Sequence, residues 1–160
     1  MCGFVGFTHV ETTEYGTVIR KMTDAIKHRG PDSDGVFSDS DVSLGFRRLS
    51  IIDLTDEGKQ PMFNENEDIV LVFNGEIYNY MSIKEELLKK GHVFHSGTDS
   101  EVIIHGYEEY GVEILSRLRG MFAFSIWDMK KKKLFIARDF FGIKPLYYTQ
   151  NTTDGSLIFG

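Results

Sequence analysis

Apolar residues cluster at once: Phe4-Val5-Gly6-Phe7 reads as a short strand beginning almost at the terminus. Over 17–28 the period becomes helical. Val18, Ile19, Met22, Ala25 and Ile26 fall on one face, and Gly30-Pro31 stops the helix within the turn His28-Arg29-Gly30-Pro31-Asp32. Val42-Ser43-Leu44-Gly45-Phe46 alternates like a half-buried strand, and 47–54 continues extended or as a loop. Ile69-Val70-Leu71-Val72-Phe73 is a continuous apolar run, the pattern of a strand covered on both faces. It ends in Asn74-Gly75, a pair that favours positive φ and a sharp turn. Ser82 with Glu85, and Thr98 with Glu101, have capping-box spacing. They predict one helix ending at Gly91 and another running through Val102, Ile103 and Tyr107 towards Gly111, with a further turn or two over 112–119. The stretches 121–128 and 133–139 form a hairpin around Met129-Lys130-Lys131-Lys132, and 146–148 and 156–159 are two more strands. Roughly seven strands and three or four helices result, with no linker, repeat or low-complexity stretch.

Charge and composition narrow the class. The 160 residues carry 18 Lys and Arg against 24 Asp and Glu, a net charge of −6. An acidic surface repels phosphate backbones, so nucleic acid is not an expected partner, and the lysines at 130–133 read as a solvated turn. No apolar run approaches the ~18–20 residues that span a bilayer, so no membrane partner is expected. One cysteine, Cys2, excludes an internal disulfide, and the first residues lack the basic region of a secretory signal. Both features point to a cytoplasmic protein. The last strand stops at Gly160, which points to the front part of a longer protein: one domain over 1–160, truncated at its C-terminal side.

Candidate chemistry begins at Cys2. A lone cysteine is most often a small buried hydrophobe. Position changes the odds. Once Met1 is removed, Cys2 carries both a thiol and a free α-amine, and an α-amine of pKa about 7.7–8.0 can accept a proton near neutrality. One residue then supplies nucleophile and base. Acyl transfer also needs donors aimed at a developing oxyanion, which the Asn74 amide and the Gly75 N–H could provide, although most Asn-Gly pairs are plain turns. In Arg47-Arg48, an arginine fork suits a substrate carboxylate; the bland alternative is a solvated charge. Asp99 stands at a helix start, where it either complements the dipole or meets a substrate ammonium. Thr98 has the better capping spacing, leaving Asp99 freer to point elsewhere. The four features fit an α-amino acid with a side-chain amide, such as glutamine.

These stretches, together with Met1-Cys2-Gly3, Arg47-Arg48-Leu49-Ser50-Ile51-Ile52-Asp53-Leu54, Gln60-Pro61-Met62, Asn74-Gly75-Glu76-Ile77-Tyr78-Asn79, Gly97-Thr98-Asp99-Ser100-Glu101, Leu118-Arg119-Gly120-Met121-Phe122-Ala123-Phe124 and the segment from Ala137-Arg138-Asp139 to Tyr147, carry a resemblance. The chain resembles the class II, glutamine-hydrolysing amidotransferase domain of glutamine-dependent asparagine synthetases, over essentially its whole length. The resemblance implies an α+β fold, the four-layer αββα sandwich of N-terminal-nucleophile hydrolases with two antiparallel sheets inside. It implies Cys2 as nucleophile, Asn74 and Gly75 as oxyanion hole, and Arg48 on the glutamine α-carboxylate. It further implies Leu49, Ser50, Ile51 and Ile52 lining the pocket, with Gly75, Glu76 and Asp99 on the α-ammonium side. In that family the ammonia passes to a synthetase domain that activates aspartate with ATP and magnesium. For this domain itself no cofactor and no metal are implied, and a homodimer is compatible. Two alternatives stay open: the same domain serving another acceptor, such as a sugar or antibiotic-pathway amidotransferase, or a catalytically silent binding module.

The remaining residues read as structural. His92 and His95 find no carboxylate or cysteine at a spacing that completes a metal set. The aromatic set Phe122, Phe124, Trp127, Phe135, Phe140 and Phe141 reads as mostly core, partly interface.

Overall fold

The computed structural model describes residues 2–9, 14–49 and 58–160. Five strands form the first sheet in the order β2 (Ser33–Ser38), β3 (Val42–Arg48), β1 (Gly3–Thr8), β9 (Leu157–Phe159) and β8 (Tyr148–Gln150). Four form the second: β4 (Met62–Phe63), β5 (Ile69–Ile77), β6 (Gly120–Asp128) and β7 (Lys133–Arg138). Every pairing in both sheets is antiparallel. Helix α1 (Tyr15–Ala25) covers the first sheet, while α2 (Tyr80–Lys89), α3 (Glu101–Tyr110) and the short α4 (Ile114–Arg117) cover the second. This is the expected αββα sandwich.

Its layers follow from strand alternation, because successive side chains point to opposite faces. On β1, Val5 and Phe7 meet Ile19, Met22 and Ile26 of the α1 segment. Phe4 points the other way, joining Leu44, Phe46, Val70, Val72 and Trp127 between the sheets. On β5, Leu71 and Phe73 meet Ile83, Leu87 and Ile103 beneath α2 and α3. Both faces of β5 are therefore covered, which explains its unbroken apolar run. The same holds for β3, which is buried at all seven positions and not half-buried as its alternation predicted. Its polar positions are small or paired: Ser43 contacts His9 and Ser38, and Gly45 admits α1, since a Cβ there would stand 2.1 Å from Thr23 Oγ1.

Several local expectations are corrected. Val18 and Ala25 face solvent, and Thr23 takes the buried position, its hydroxyl satisfied by the Ile19 carbonyl at 2.7 Å. Asn74-Gly75 is not a turn. Both residues lie inside β5, opposite Ala123 and Phe122, and neither has positive φ. Glycine is needed at 75 for close approach: a Cβ would meet the Met121 carbonyl oxygen at 2.4 Å. Neither capping box forms. Ser82 Oγ donates to the Asn79 carbonyl at 2.9 Å, and Glu101 reaches back to the N–H groups of His95 and Ser96, each at 2.7 Å. Strand β8 begins two residues later than predicted, and β2 and β4 went unpredicted. Phe140 and Phe141 stand 96% and 82% exposed, outside any core.

Candidate active site

Strand register brings the first residues to the site. Gly3 pairs with Arg47, so Cys2 falls beside Arg48 and Leu49 at the end of β3. The Leu49 N–H donates to Cys2 Sγ at 3.4 Å, and the thiol lies 3.5 Å from the Leu49 carbonyl. Arg29 donates to the Cys2 carbonyl at 3.4 Å. These contacts hold the side chain at the wall of a cavity of about 250 Å³.

Alternation separates the two arginines. Arg47 faces α1, where its guanidinium bonds the Thr23 carbonyl at 3.0 Å and the carboxylates of Asp24 and Asp34. That makes it a strut between β3, β2 and the end of α1. Arg48, on the opposite face, lines the cavity. From the second sheet, Asn74, Gly75 and Glu76 of β5 line the same space. Asp99 reaches it from the segment before α3. Its Oδ2 accepts the Ile77 N–H at 2.6 Å, and α3 has no side-chain cap, Thr98 bonding the Ser96 and Ser100 hydroxyls instead.

Of the residues expected at the site, Cys2, Arg48, Leu49, Asn74, Gly75, Glu76 and Asp99 thus share one cavity. Ser50, Ile51 and Ile52 lie outside the described residues. Sequence reasoning gave no role to Gln60 or Lys144, which also line the cavity. Gln60 Oε1 accepts the Phe73 N–H at 2.6 Å, which fixes it against the strand carrying Asn74. Lys144 is buried, and its place between Ile143 and Pro145 in an otherwise apolar, aromatic stretch was the available signal.

The cavity carries both signs of charge: Arg48 and Lys144 on one hand, Glu76 and Asp99 on the other. Burial pushes the Asp99 carboxyl above the ordinary aspartate value, and the neighbouring Glu76 charge adds to it, against the pull of the Ile77 N–H. A carboxylate raised in this way is short of a cation, which is what a substrate ammonium supplies. A thiol, an amide side chain and a bipolar lining together can bind a zwitterion and attack an acyl group within it.

One expectation fails away from this cavity. His92 does find partners, because folding brings Glu65, His105 and Glu108 to it, with ligating atoms of all four within 4.8 Å of one another. His95 takes no part. Burial alone would lower the His105 pKa, but Glu101, Glu108 and then Glu65 outweigh it and raise it to about 9. Burial likewise opposes the charge on Glu101, yet the facing His105 ring and hydrogen bonds from Ser96 and His95 hold its carboxyl at about 2.

Comparison with known proteins gives a consistent picture. A family described as glutamine amidotransferase domain matches residues 1–160. Asparagine synthetase [glutamine-hydrolyzing] 1 of Bacillus subtilis is 51% identical over 93% of this chain and 24% of its own length. The second such enzyme of that organism is 46% identical over 94% of this chain and 20% of its own. The Zea mays asparagine synthetase is 42% identical over 99% of this chain and 27% of its own. The chain therefore spans about a quarter of the length of these curated relatives. Among solved structures, glutamine phosphoribosylpyrophosphate amidotransferase from B. subtilis, complexed with ADP and GMP, superposes with a TM-score of 0.79 over 98% of this chain and 41% of that one. Identity there is 20%, so that likeness speaks to the fold alone.

Proposed function

Because the chain belongs to the glutamine amidotransferase domain family, we propose that it hydrolyses glutamine to glutamate and ammonia through a thioester on Cys2. The observation that carries this reading is the convergence of Cys2, from the first sheet, with Asn74 and Gly75, from the second, on one cavity.

The chemistry follows from the groups present. Removal of Met1 frees the Cys2 α-amine, which takes the thiol proton. The thiolate attacks the side-chain amide carbon of glutamine. Negative charge moves to the amide oxygen, where the Asn74 amide and the Gly75 N–H stabilise it. The C–N bond breaks as the ammonium form of the α-amine returns its proton, releasing ammonia and leaving a γ-glutamyl thioester. Water, deprotonated by the same amine, then hydrolyses the thioester to glutamate and restores the thiol. Arg48 clamps the α-carboxylate, Glu76 and Asp99 take the α-ammonium, and Leu49 lines the pocket.

The relatives' names and lengths support a wider role. The ammonia passes to a synthetase domain that amidates aspartate, and ATP and magnesium serve that domain while no step above uses them. Phe140, Phe141, Tyr147 and Tyr148, within four residues of the cavity-lining Lys144 in sequence, are exposed aromatics of the kind such a domain would cover.

The test is intact mass after exposure to a diazo-ketone analogue of glutamine. Expected is a chain that has lost Met1 and gained one covalent adduct, with no adduct on Cys2→Ala. A processed wild-type chain that stays unmodified and releases no glutamate from glutamine would refute the reading.

A further inference from the structure

We propose that Glu65, His92, His105 and Glu108 form a binding site for one divalent transition metal of the zinc class, separate from the residues lining the Cys2 cavity. Neither His92 nor His105 lines that cavity, and no catalytic step above uses them. The four residues come from three separate stretches. Glu65 lies in the turn between β4 and β5, His92 just past the end of α2, and His105 and Glu108 one turn apart on α3. Segments so far apart in sequence converge on one point.

His105 Nδ1 and Glu108 Oε2 share a hydrogen bond and Glu65 Oε1 accepts the Val93 N–H at 3.1 Å, yet the spacing of the whole group also fits an ion. A tetrahedral zinc with bonds of about 2.1 Å has neighbouring ligand atoms about 3.4 Å apart. His105 Nδ1 lies 2.9 Å from Glu108 Oε2 and 3.3 Å from Glu65 Oε2. His92 Nδ1 lies 3.7 Å from Glu108 Oε2 and 3.8 Å from Glu65 Oε1. These distances lie around the tetrahedral edge, with Glu65 turning a different oxygen to each histidine, and one ligating atom from each of the four residues lies within 4.8 Å of all the others. The His92 pair is too long for hydrogen bonds, yet its ring nitrogen faces the same two carboxylates.

Supporting groups are those that a metal site uses. A ligating histidine usually presents its second ring nitrogen to a carboxylate. His105 Nε2 faces Glu101 Oε1 at 3.5 Å, and His92 Nε2 faces Glu109 Oε2 at 3.6 Å. Asn64 Nδ2 donates to Glu108 Oε1 at 2.7 Å, which leaves Oε2 to point at the histidines. Charge argues the same way. Glu65 and Glu108 face both imidazoles and Glu101 faces His105, while Glu109 is paired with Lys90 at 2.7 Å; a dication between the rings offsets the carboxylates that face them. Imidazole nitrogens select zinc and its neighbours over magnesium or calcium. Four protein ligands leave no open position, so the ion is structural. It would brace the α2–α3 connection, whose residues His95 and Ser96 are held by Glu101, close to Asp99.

Chelator-treated chain is titrated with Zn²⁺ alone by calorimetry, and with Co²⁺ by visible absorption. The proposal expects one equivalent of bound Zn²⁺, tetrahedral Co²⁺ bands and a higher melting temperature with metal. His92→Ala and the isosteric Glu65→Gln, both at partly exposed positions, should each weaken Zn²⁺ binding at least tenfold. Cys2→Ala should bind as wild type does, which excludes capture by the thiol. Absence of stoichiometric binding overturns the proposal. So does binding that neither cluster variant changes, or binding lost only in Cys2→Ala.

Discussion

The Asp99 carboxylate accepts the Ile77 N–H at 2.6 Å, tying the residues that lead into α3 to the end of the strand that carries Asn74, Gly75 and Glu76. One oxygen of the side chain is committed to this bond. The group is thereby fixed beside Glu76 in the cavity, where burial raises its pKa.

That shift sets a pH dependence. A carboxyl whose folded pKa lies above its unfolded value holds its proton more tightly when folded. Its ionised form therefore weighs against the ligand-free fold at neutral pH, and this penalty fades as pH falls through the folded value. Substrate binding has the opposite need, since only the carboxylate attracts an ammonium. In wild type, kcat/KM for glutamine should fall with acid on a limb above the ordinary aspartate value, and pH–rate profiles measure it. Asp99→Asn keeps an acceptor for Ile77 and removes the charge. It should melt no lower than wild type without ligand, yet lose most glutamine affinity; a large drop in its melting temperature would contradict this account.

Asn74→Ala removes one proposed oxyanion donor. Such losses cost about 10²–10³ in kcat. KM should change far less, because the developing oxyanion belongs to the transition state. Steady-state glutaminase kinetics decide the matter, and a variant with raised KM and intact kcat would reassign Asn74 to ground-state binding.

Arg48 and Arg47 should part company under substitution. Arg48→Lys keeps the charge but loses the fork, and hydrogen bonds to charged groups are worth about 1.5–3 kcal/mol. KM for glutamine should rise roughly ten- to a hundredfold on that account. Arg47→Lys should instead leave KM little changed and lower the melting temperature, because Arg47 bonds Thr23, Asp24 and Asp34 and not the cavity.

Gly75→Ala tests close approach instead of chemistry. Its methyl group would press on the Met121 carbonyl and on Phe122 Cα at 2.7 Å, both backbone. Overpacking of this kind costs about 1–3 kcal/mol. Denaturant unfolding should show that loss, along with reduced activity from displaced β5.

The sequence carried the chemistry better than the edges of the fold. Cys2, Asn74, Arg48 and Asp99 were singled out as residue types with chemical potential, and the structure brings them to one cavity. The buried runs of β5 and β6 were legible for a similar reason. Strand β2 was not: Ser33-Asp34-Gly35 gives no alternation, and its pairing comes wholly from β3. Strand β4 has only two residues. Glycine at 75 looked like a turn because its real reason, the nearness of β6, is tertiary. The Thr98–Glu101 box failed because Glu101 found partners at His95 and Ser96, and the Ser82–Glu85 box because Ser82 donates to the Asn79 carbonyl. The Glu65–His92–His105–Glu108 cluster was invisible for the same cause: no window of sequence holds it.

The proposed nucleophile and oxyanion donor ride on different sheets, Cys2 ahead of β1 and Asn74 within β5. The gap between sulfur and amide is therefore set by the side chains stacked between the layers, among them Phe4, Phe46, Val70 and Val72. The interior acts as a spacer in the reaction coordinate. Trimming or swelling that filling changes turnover through distance, even where no altered atom touches the substrate.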